Sequence, residues 1–341
     1  MIQYLSALVL SCFSSQLAAQ PHYIAQPLVR EIYTADPSAH VWNDGRIYIY
    51  SSHDIETDTP EDDLGSHFDM RDYRILSMDR VDGAVTIHGI ALDIGDVPWA
   101  NRQMWAPDAA FKDGTYYLYF PAKDHQGIFR IGVATSKSPT GPFIAESQPI
   151  QDSYSIDPAV FRDNDGAHYM YFGGIWGGQL QKWVDGVFDP QGSDTDLNND
   201  AALTPRIARL DDDMLAFAEK PRAVVINDTE GVLLADDHDR RFFEGTWVFK
   251  RNNIYYLTYS TGDTHYLVYA TGDNPYGPFT YRGRILEPVQ GWTTHHSIFE
   301  HNGQWYLAFH DTQLSGKTHL RNVKITPLSF TLDGAIQTVH P

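Results

Sequence analysis

Two internal repeats predict that this chain is all-β and closes as a single-domain, five-bladed β-propeller. The first is a hairpin pattern met five times: a polar or Pro-flanked opening, an apolar run, a tight turn and an alternating aromatic run. Its clearest copy runs from Ser155 to Phe172, through Asp157-Pro158, the turn at Asp165-Gly166 and the strand His168-Tyr169-Met170-Tyr171-Phe172. The other four turn at Asp44-Gly45, Asp113-Gly114, Asn252-Asn253 and Asn302-Gly303, each leading into a strand such as Ile47-Tyr48-Ile49-Tyr50. The second repeat is Ser138-Pro139-Thr140-Gly141-Pro142-Phe143, which returns as Asn274-Pro275-Tyr276-Gly277-Pro278-Phe279 at a similar offset after the second and fourth hairpins. Blades of one radial fold produce that spacing; unrelated hairpins do not.

Taken in order, residues 1–20 carry no charged side chain, and a short apolar stretch from Leu5 to Val9 ends near Leu17-Ala18-Ala19-Gln20. This reads as a signal peptide, so the expected product is secreted or periplasmic and the catalytic propeller spans 21–341. The apolar run is too short to span a bilayer. Its context Val9-Leu10-Ser11-Cys12 resembles a lipoprotein cleavage box, which leaves a lipid anchor as an alternative. Residues 21–35 are expected to be a lead-in segment with a strand at its start. The acid-rich stretch from Ser51 to Tyr73 reads as a solvated surface loop, since no spacing in it matches a calcium-loop template. Residues 185–240 read as loops and outer strands of the third blade with one short helix. The strand around Leu320 to Phe330 supplies chain to close the ring against the N-terminal segment.

Composition agrees with this layout. The chain has 341 residues, a length that propellers often reach as one unit. Aromatic residues at 13% and 19 prolines suit short strands joined by many turns. A net charge of −19 repels phosphate backbones and anionic membranes, which excludes nucleic acid as a partner class. The single cysteine, Cys12, lies in the leader, so the globular part has no thiol for a disulfide, a metal or a nucleophile.

The offsets of the hairpins carry the chemistry. Asp36, Asp157 and Glu244 each stand nine residues before Gly45, Gly166 and Asn253, and His295 stands eight before Gly303. Corresponding strands of a propeller start at the same end of the ring, so these residues converge on the axis. Asp-Pro also opens ordinary turns, but three acids at one offset point to use, because like charges at close range raise one another's pKa. Glycoside hydrolysis needs two carboxyl groups across a pocket, one protonated and one ionised, and a third can keep the acid protonated and orient it. Trp105 is a candidate flat face for a sugar ring and Arg321 a candidate donor to hydroxyls.

The segments Ala35-Asp36-Pro37-Ser38, Trp105-Ala106-Pro107-Asp108, Ile156-Asp157-Pro158-Ala159, Phe243-Glu244-Gly245 and His295-His296-Ser297 occur in that order. Together, from about Tyr33 to Leu328, they resemble the glycoside hydrolase family 43 enzymes, five-bladed propellers that cleave β-xylosides and α-L-arabinofuranosides with inversion. The resemblance implies Asp36 as general base, Asp157 as the residue that tunes and orients the acid, and Glu244 as general acid. It also implies an axial histidine near a calcium ion; by register this is His295, with His296 beside it. A lone imidazole is an unusual ligand for a hard cation, so most of the calcium shell would be water.

The expected function is an inverting, exo-acting glycoside hydrolase that releases pentose units, β-D-xylose or α-L-arabinofuranose, from xylan-derived oligosaccharides or arabinoxylan fragments. Two alternatives stand beside it. Five-bladed families acting on fructans open with Asn-Asp-Pro-Asn and centre on Arg-Asp-Pro, where this chain has Ala-Asp-Pro-Ser and Ile-Asp-Pro-Ala. A non-catalytic sugar-binding propeller would keep the aromatic lining without needing an acid at all three offsets.

Overall fold

The computed structural model describes residues 23–194 and 200–341, so the expected leader and Cys12 lie outside the described residues. Alternating aromatic runs can bury one face only by pairing with neighbours, and they do so in five blade sheets, beside a small sheet of Trp183–Val184 with Val187–Phe188. Blade 1 is Tyr33–Val41, Ile47–Asp54, Asp72–Met78 and Thr86–Asp93. Blade 2 is Asp108–Lys112, Thr115–Asp124, Phe129–Ser136 and Ile144–Ala145, with Ala100–Arg102 also paired to its second strand. Blade 3 is Ala159–Arg162, His168–Phe172, Arg206–Arg209 and Arg222–Ala223. Blade 4 is Glu244–Arg251, Ile254–Ser260, Leu267–Gly272 and Phe279–Leu286, extended by Ile226–Asn227 running parallel to its last strand. Blade 5 is His296–His301, Gln304–Asp311 and Asn322–Leu328.

Turn chemistry sets the hairpins. Asp113-Gly114, Asn252-Asn253 and Asn302-Gly303 each hold two consecutive residues at positive φ, the two-residue turn whose twist matches paired strands. The first strands of successive blades touch one another around a ring, from blade 1 through blade 5 and back to blade 1. The apolar core lies between blades. One cluster joins blades 1 and 2 through Tyr73, Ile75, Leu118 and Phe120, and another joins blades 5 and 1 through Phe299, Val323, Ile47 and Leu76.

The repeated Pro-Gly phrase is an inter-blade clamp. Phe143 N–H donates to the Ala91 carbonyl of blade 1 at 2.8 Å, while Tyr50 OH donates to the Pro139 carbonyl at 2.8 Å. The second copy repeats both bonds one pair of blades on: Phe279 N–H donates to Val225 O at 2.8 Å, and Tyr171 OH donates to Pro275 O at 2.5 Å. Ring closure falls where expected, with Leu28 N–H donating to Val323 O at 2.9 Å and Thr34 N–H to Arg321 O at 3.0 Å.

Three expectations change. Tyr23 to Ile32 forms no strand; the first begins at Tyr33. The described part of 185–240 holds no helix, because the only helical turns nearby, Trp176–Gly178 and Leu180–Lys182, precede it. The acidic stretch of 51–73 is a solvated loop only in its middle, where Glu56, Asp58 and Glu61 to Leu64 are exposed. His67, Phe68 and Met70 within it are buried, because the loop folds inward over the axis.

Candidate active site

Each acid reaches the axis through a local break in its strand. The pairing of Tyr33–Val41 with Ile47–Asp54 shifts register between Ala35 and Ser38, and Asp36 sits there at φ 52°. The first strand of blade 4 shifts between Glu244 and Trp247, with Gly245 at φ +68°. Asp157, just before blade 3, has φ 56°. Left-handed backbone is costly for a residue with a Cβ, and Asp is among the few that tolerate it. The bulges re-aim the side chains toward one pocket.

That pocket encloses about 670 Å3, its open mouth included, and Asp36, Asp157, Glu244, His295 and Arg321 all line it. Arg321 is 3% exposed and spends every N–H on protein. Nε donates to Asp54 at 2.9 Å, Nη1 to Asp36 at 2.9 Å and Thr293 at 3.1 Å, and Nη2 to Asp54 at 2.8 Å and Asp36 at 3.3 Å. The hydroxyl-binding role expected for Arg321 therefore requires one of these bonds to be exchanged for a substrate bond. Burial alone would push the Asp36 carboxyl up, but the Arg321 guanidinium, aided by the Ser52 hydroxyl at 2.7 Å, holds it below the ordinary carboxylate value. Behind it, His310 accepts the Asp36 N–H at Nδ1 (3.1 Å), and burial lowers the imidazole pKa to about 3, so the ring is neutral.

Across the pocket the sign reverses. Burial, then Asp36, pushes Glu244 up to about 8, against the opposing pull of Arg321. Burial and the neighbouring Glu244 carboxyl raise Asp157 as well. Two such carboxyl groups titrate as a pair. Asp157 Oδ2 accepts the Gly245 N–H at 2.8 Å, which works against that rise and favours negative charge on Asp157.

The doubled histidine resolves into two roles. His296 is fully buried and bonded through Nε2 to Thr258 Oγ1 at 2.7 Å, on the side of blade 4. His295 lines the pocket, with Nε2 3.8 Å from Asp157 and both ring nitrogens lacking a hydrogen-bond partner. Burial lowers its pKa and keeps it neutral. Among the described residues no three His, Cys, Asp or Glu side chains cluster to hold a metal, so a cation here would have at most two direct side-chain ligands of these types.

The walls were largely illegible in the sequence. Trp105 lines the pocket, its indole N–H donating to Phe68 O at 2.8 Å and its ring packing on Phe129 at 4.7 Å. Phe68 and Trp292 stack at 6.0 Å, and Trp176 meets Phe243 edge-on at 5.1 Å. Two loops meet above Trp105: a Cβ at Gly177 would lie 2.4 Å from Leu64 O, and one at Gly65 would lie 2.9 Å from the Trp105 ring. A further acid, Asp108, lies deeper on the axis. It accepts from Ser38 Oγ and from the Val160 N–H (2.5 Å) and contacts His40 Nε2 (2.7 Å), so it ties blades 1, 2 and 3 together. It sits in the quoted Trp-Ala-Pro-Asp segment, six residues before its turn glycine, and that different offset hid it.

An ionised acid facing a protonated one beneath aromatic walls is the equipment of glycosidic bond cleavage, and it sets the chain in the class of glycoside hydrolases. Comparison with known proteins narrows the class. The model of "Glycosyl hydrolases family 43" matches residues 24–336, and the chain belongs to that family. It is 58% identical to a xylosidase/arabinosidase 43A of Humicola insolens, over 92% of this chain and 99% of the relative. It is 54% identical to a xylosidase/arabinosidase of Bacteroides ovatus, over 92% and 97%. Among solved structures it matches, with TM-score 0.91 and 62% identity over 93% and 98% of the two chains, a family 43 β-xylosidase/α-arabinofuranosidase from a compost metagenome in complex with xylotriose, in a calcium-free form. A Xanthomonas citri family 43 enzyme complexed with xylotriose matches with TM-score 0.88 and 55% identity over 93% and 94%.

The Arg321 fork makes a checkable prediction. In Arg321→Lys one ammonium replaces five N–H donors and cannot serve both Asp36 and Asp54. The Asp36 pKa should rise, so the acid limb of the pH profile of kcat/KM should move to higher pH by about one unit. An unmoved limb would separate Asp36 from the rate.

Proposed function

We propose that this enzyme is an inverting, exo-acting hydrolase of pentosides, releasing β-D-xylose or α-L-arabinofuranose from xylan-derived oligosaccharides. The observation that carries the reading is the placing of two buried carboxyl groups across one pocket, Asp36 on the Arg321 fork, which lowers its pKa, and Glu244 facing it, where burial pushes the carboxyl up. Asp36 takes a proton from a water on one face of the anomeric carbon, and that water attacks as Glu244 gives its proton to the leaving oxygen. Asp157 keeps the proton on Glu244 and fixes the strand that carries it through Gly245. Trp105, with Phe68, Trp176 and Trp292, supplies apolar walls. The meeting of the 63–65 and 176–178 loops narrows the pocket and supports attack on chain ends rather than chain interiors. The names of the relatives and the xylotriose held by two solved ones support a pentose substrate.

The test uses leaving groups. Glu244→Gln should lose roughly 10²- to 10⁴-fold in kcat on xylobiose, with much less lost on an aryl xyloside whose leaving group needs no proton. Near-normal turnover of xylobiose would remove Glu244 as the acid. NMR of the first-formed sugar should show the anomer opposite to the substrate, and retention would remove Asp36 as base.

A calcium ion on the axis belongs to the same proposal. The two unpartnered ring nitrogens of buried His295 fit a ligand to a hydrated cation, which when bound would hold the imidazole neutral and order pocket water. Dialysis against a chelator should lower both the melting temperature and activity, with calcium restoring them; no change in either sinks the ion. Export is supported by the uncharged residues 1–20. Mass spectrometry of the protein secreted by its host should find the mature chain starting near residue 21, and an intact leader would overturn export.

A further inference from the structure

The ring has two mouths, and the reaction proposed above uses one. The other lies at the turn end of the five first strands and opens as a funnel of about 1000 Å3, its entrance included, lined by all five blades. A channel mouth facing water needs no aromatic rings, yet Trp42, Phe111 and Trp305 stand there half-buried. They are rigidly held. Trp42 lies flat on His40, 4.7 Å away at 5°, and its indole N–H donates to Tyr50 OH at 3.1 Å. Trp305 is braced by Phe249 at 5.1 Å and Phe330 at 5.7 Å.

The same wall holds a buried polar group without a partner. His168 lines the funnel, is 4% exposed, and its Nε2 makes no hydrogen bond. Burial lowers its pKa to about 4, so the ring is neutral. An unpartnered nitrogen of a neutral imidazole can donate to or accept from a hydroxyl, according to its tautomer. Arg162, Asn164 and Glu300 stand exposed at the rim with both donors and acceptors, and Arg162 and Glu300 cancel in charge. Lys250 is already paired with Asp163 at 2.8 Å. Flat apolar plates, hydrogen-bonding groups and no excess charge suit an uncharged polyhydroxylated ring rather than an anion.

We propose that this second mouth is a binding site for an uncharged xylo-oligosaccharide segment, holding the polymer on the face of the ring opposite the catalytic pocket. The choice of sugar rests on the pentoside reading above. In full-length protein carrying Glu244→Gln, calorimetry with xylotetraose should give two sites, and adding Trp42→Ala should weaken one of them about tenfold. In the otherwise native enzyme, Trp42→Ala should hydrolyse an aryl xyloside at the native rate while its retention on insoluble xylan falls by a similar factor. Should Trp42→Ala lose aryl-xyloside hydrolysis through damage to the fold, the exposed positions Arg162→Ala and Glu300→Ala carry the same comparison. A one-site isotherm, or xylan retention unchanged in these variants of an active enzyme, overturns the second site. Failure of the native enzyme to hydrolyse any aryl pentoside overturns instead the pentoside reading, and with it this ligand.

Discussion

One buried guanidinium decides how the rest of the molecule is arranged. Arg321 sits between Asp36 and Asp54 with all its donors engaged, and its backbone joins in: its N–H donates to Asp54 Oδ2 at 2.7 Å and its carbonyl accepts the Thr34 N–H. A cation this deeply buried is tolerable only when fully paired, and removing one partner of such a set costs on the order of 3–5 kcal/mol. The two carboxylates belong to the first two strands of blade 1, while Arg321 precedes the last strand of blade 5. The joint that closes the ring and the bond that keeps Asp36 charged are therefore the same bond.

The left-handed residues tell a related story. Asp36 and Asp157 take positive φ themselves, whereas at Glu244 the following Gly245 absorbs it. Strain of this sort persists only where the surroundings over-determine it. Here the surroundings are the hydrogen bonds of the site: the His310 imidazole on the Asp36 N–H, and the Asp157 carboxyl on the Gly245 N–H. Side chains of the candidate site hold the backbone that presents its acids.

What could be read from the sequence was local. Hairpins with Asp-Gly and Asn-Gly turns, strands alternating with period two, and acids at a repeated offset from the turn need only a few neighbouring residues to be recognised. The Pro-Gly phrase was legible as a repeat, though its function as a clamp depends on Tyr50 and Tyr171, each in the preceding blade. The pocket walls were not legible. Gly65, Trp105 and Gly177 meet from three distant segments, and the acidic composition of 51–73 concealed the buried His67, Phe68 and Met70. Arg321 was found, but its partner Asp54, 267 positions away, was hidden inside that same composition. Asp108 escaped because it works deeper along the axis than the acids that face the pocket.

The shared joint at Arg321 gives the enzyme a built-in check on its own assembly. A ring that has parted at the seam between its first and last blades takes the guanidinium away from Asp36 and Asp54 together and opens both carboxylates to water. Such a molecule loses the closing ion pairs and the shape of the pocket in one step. The candidate site is thus complete only when the first and last blades meet.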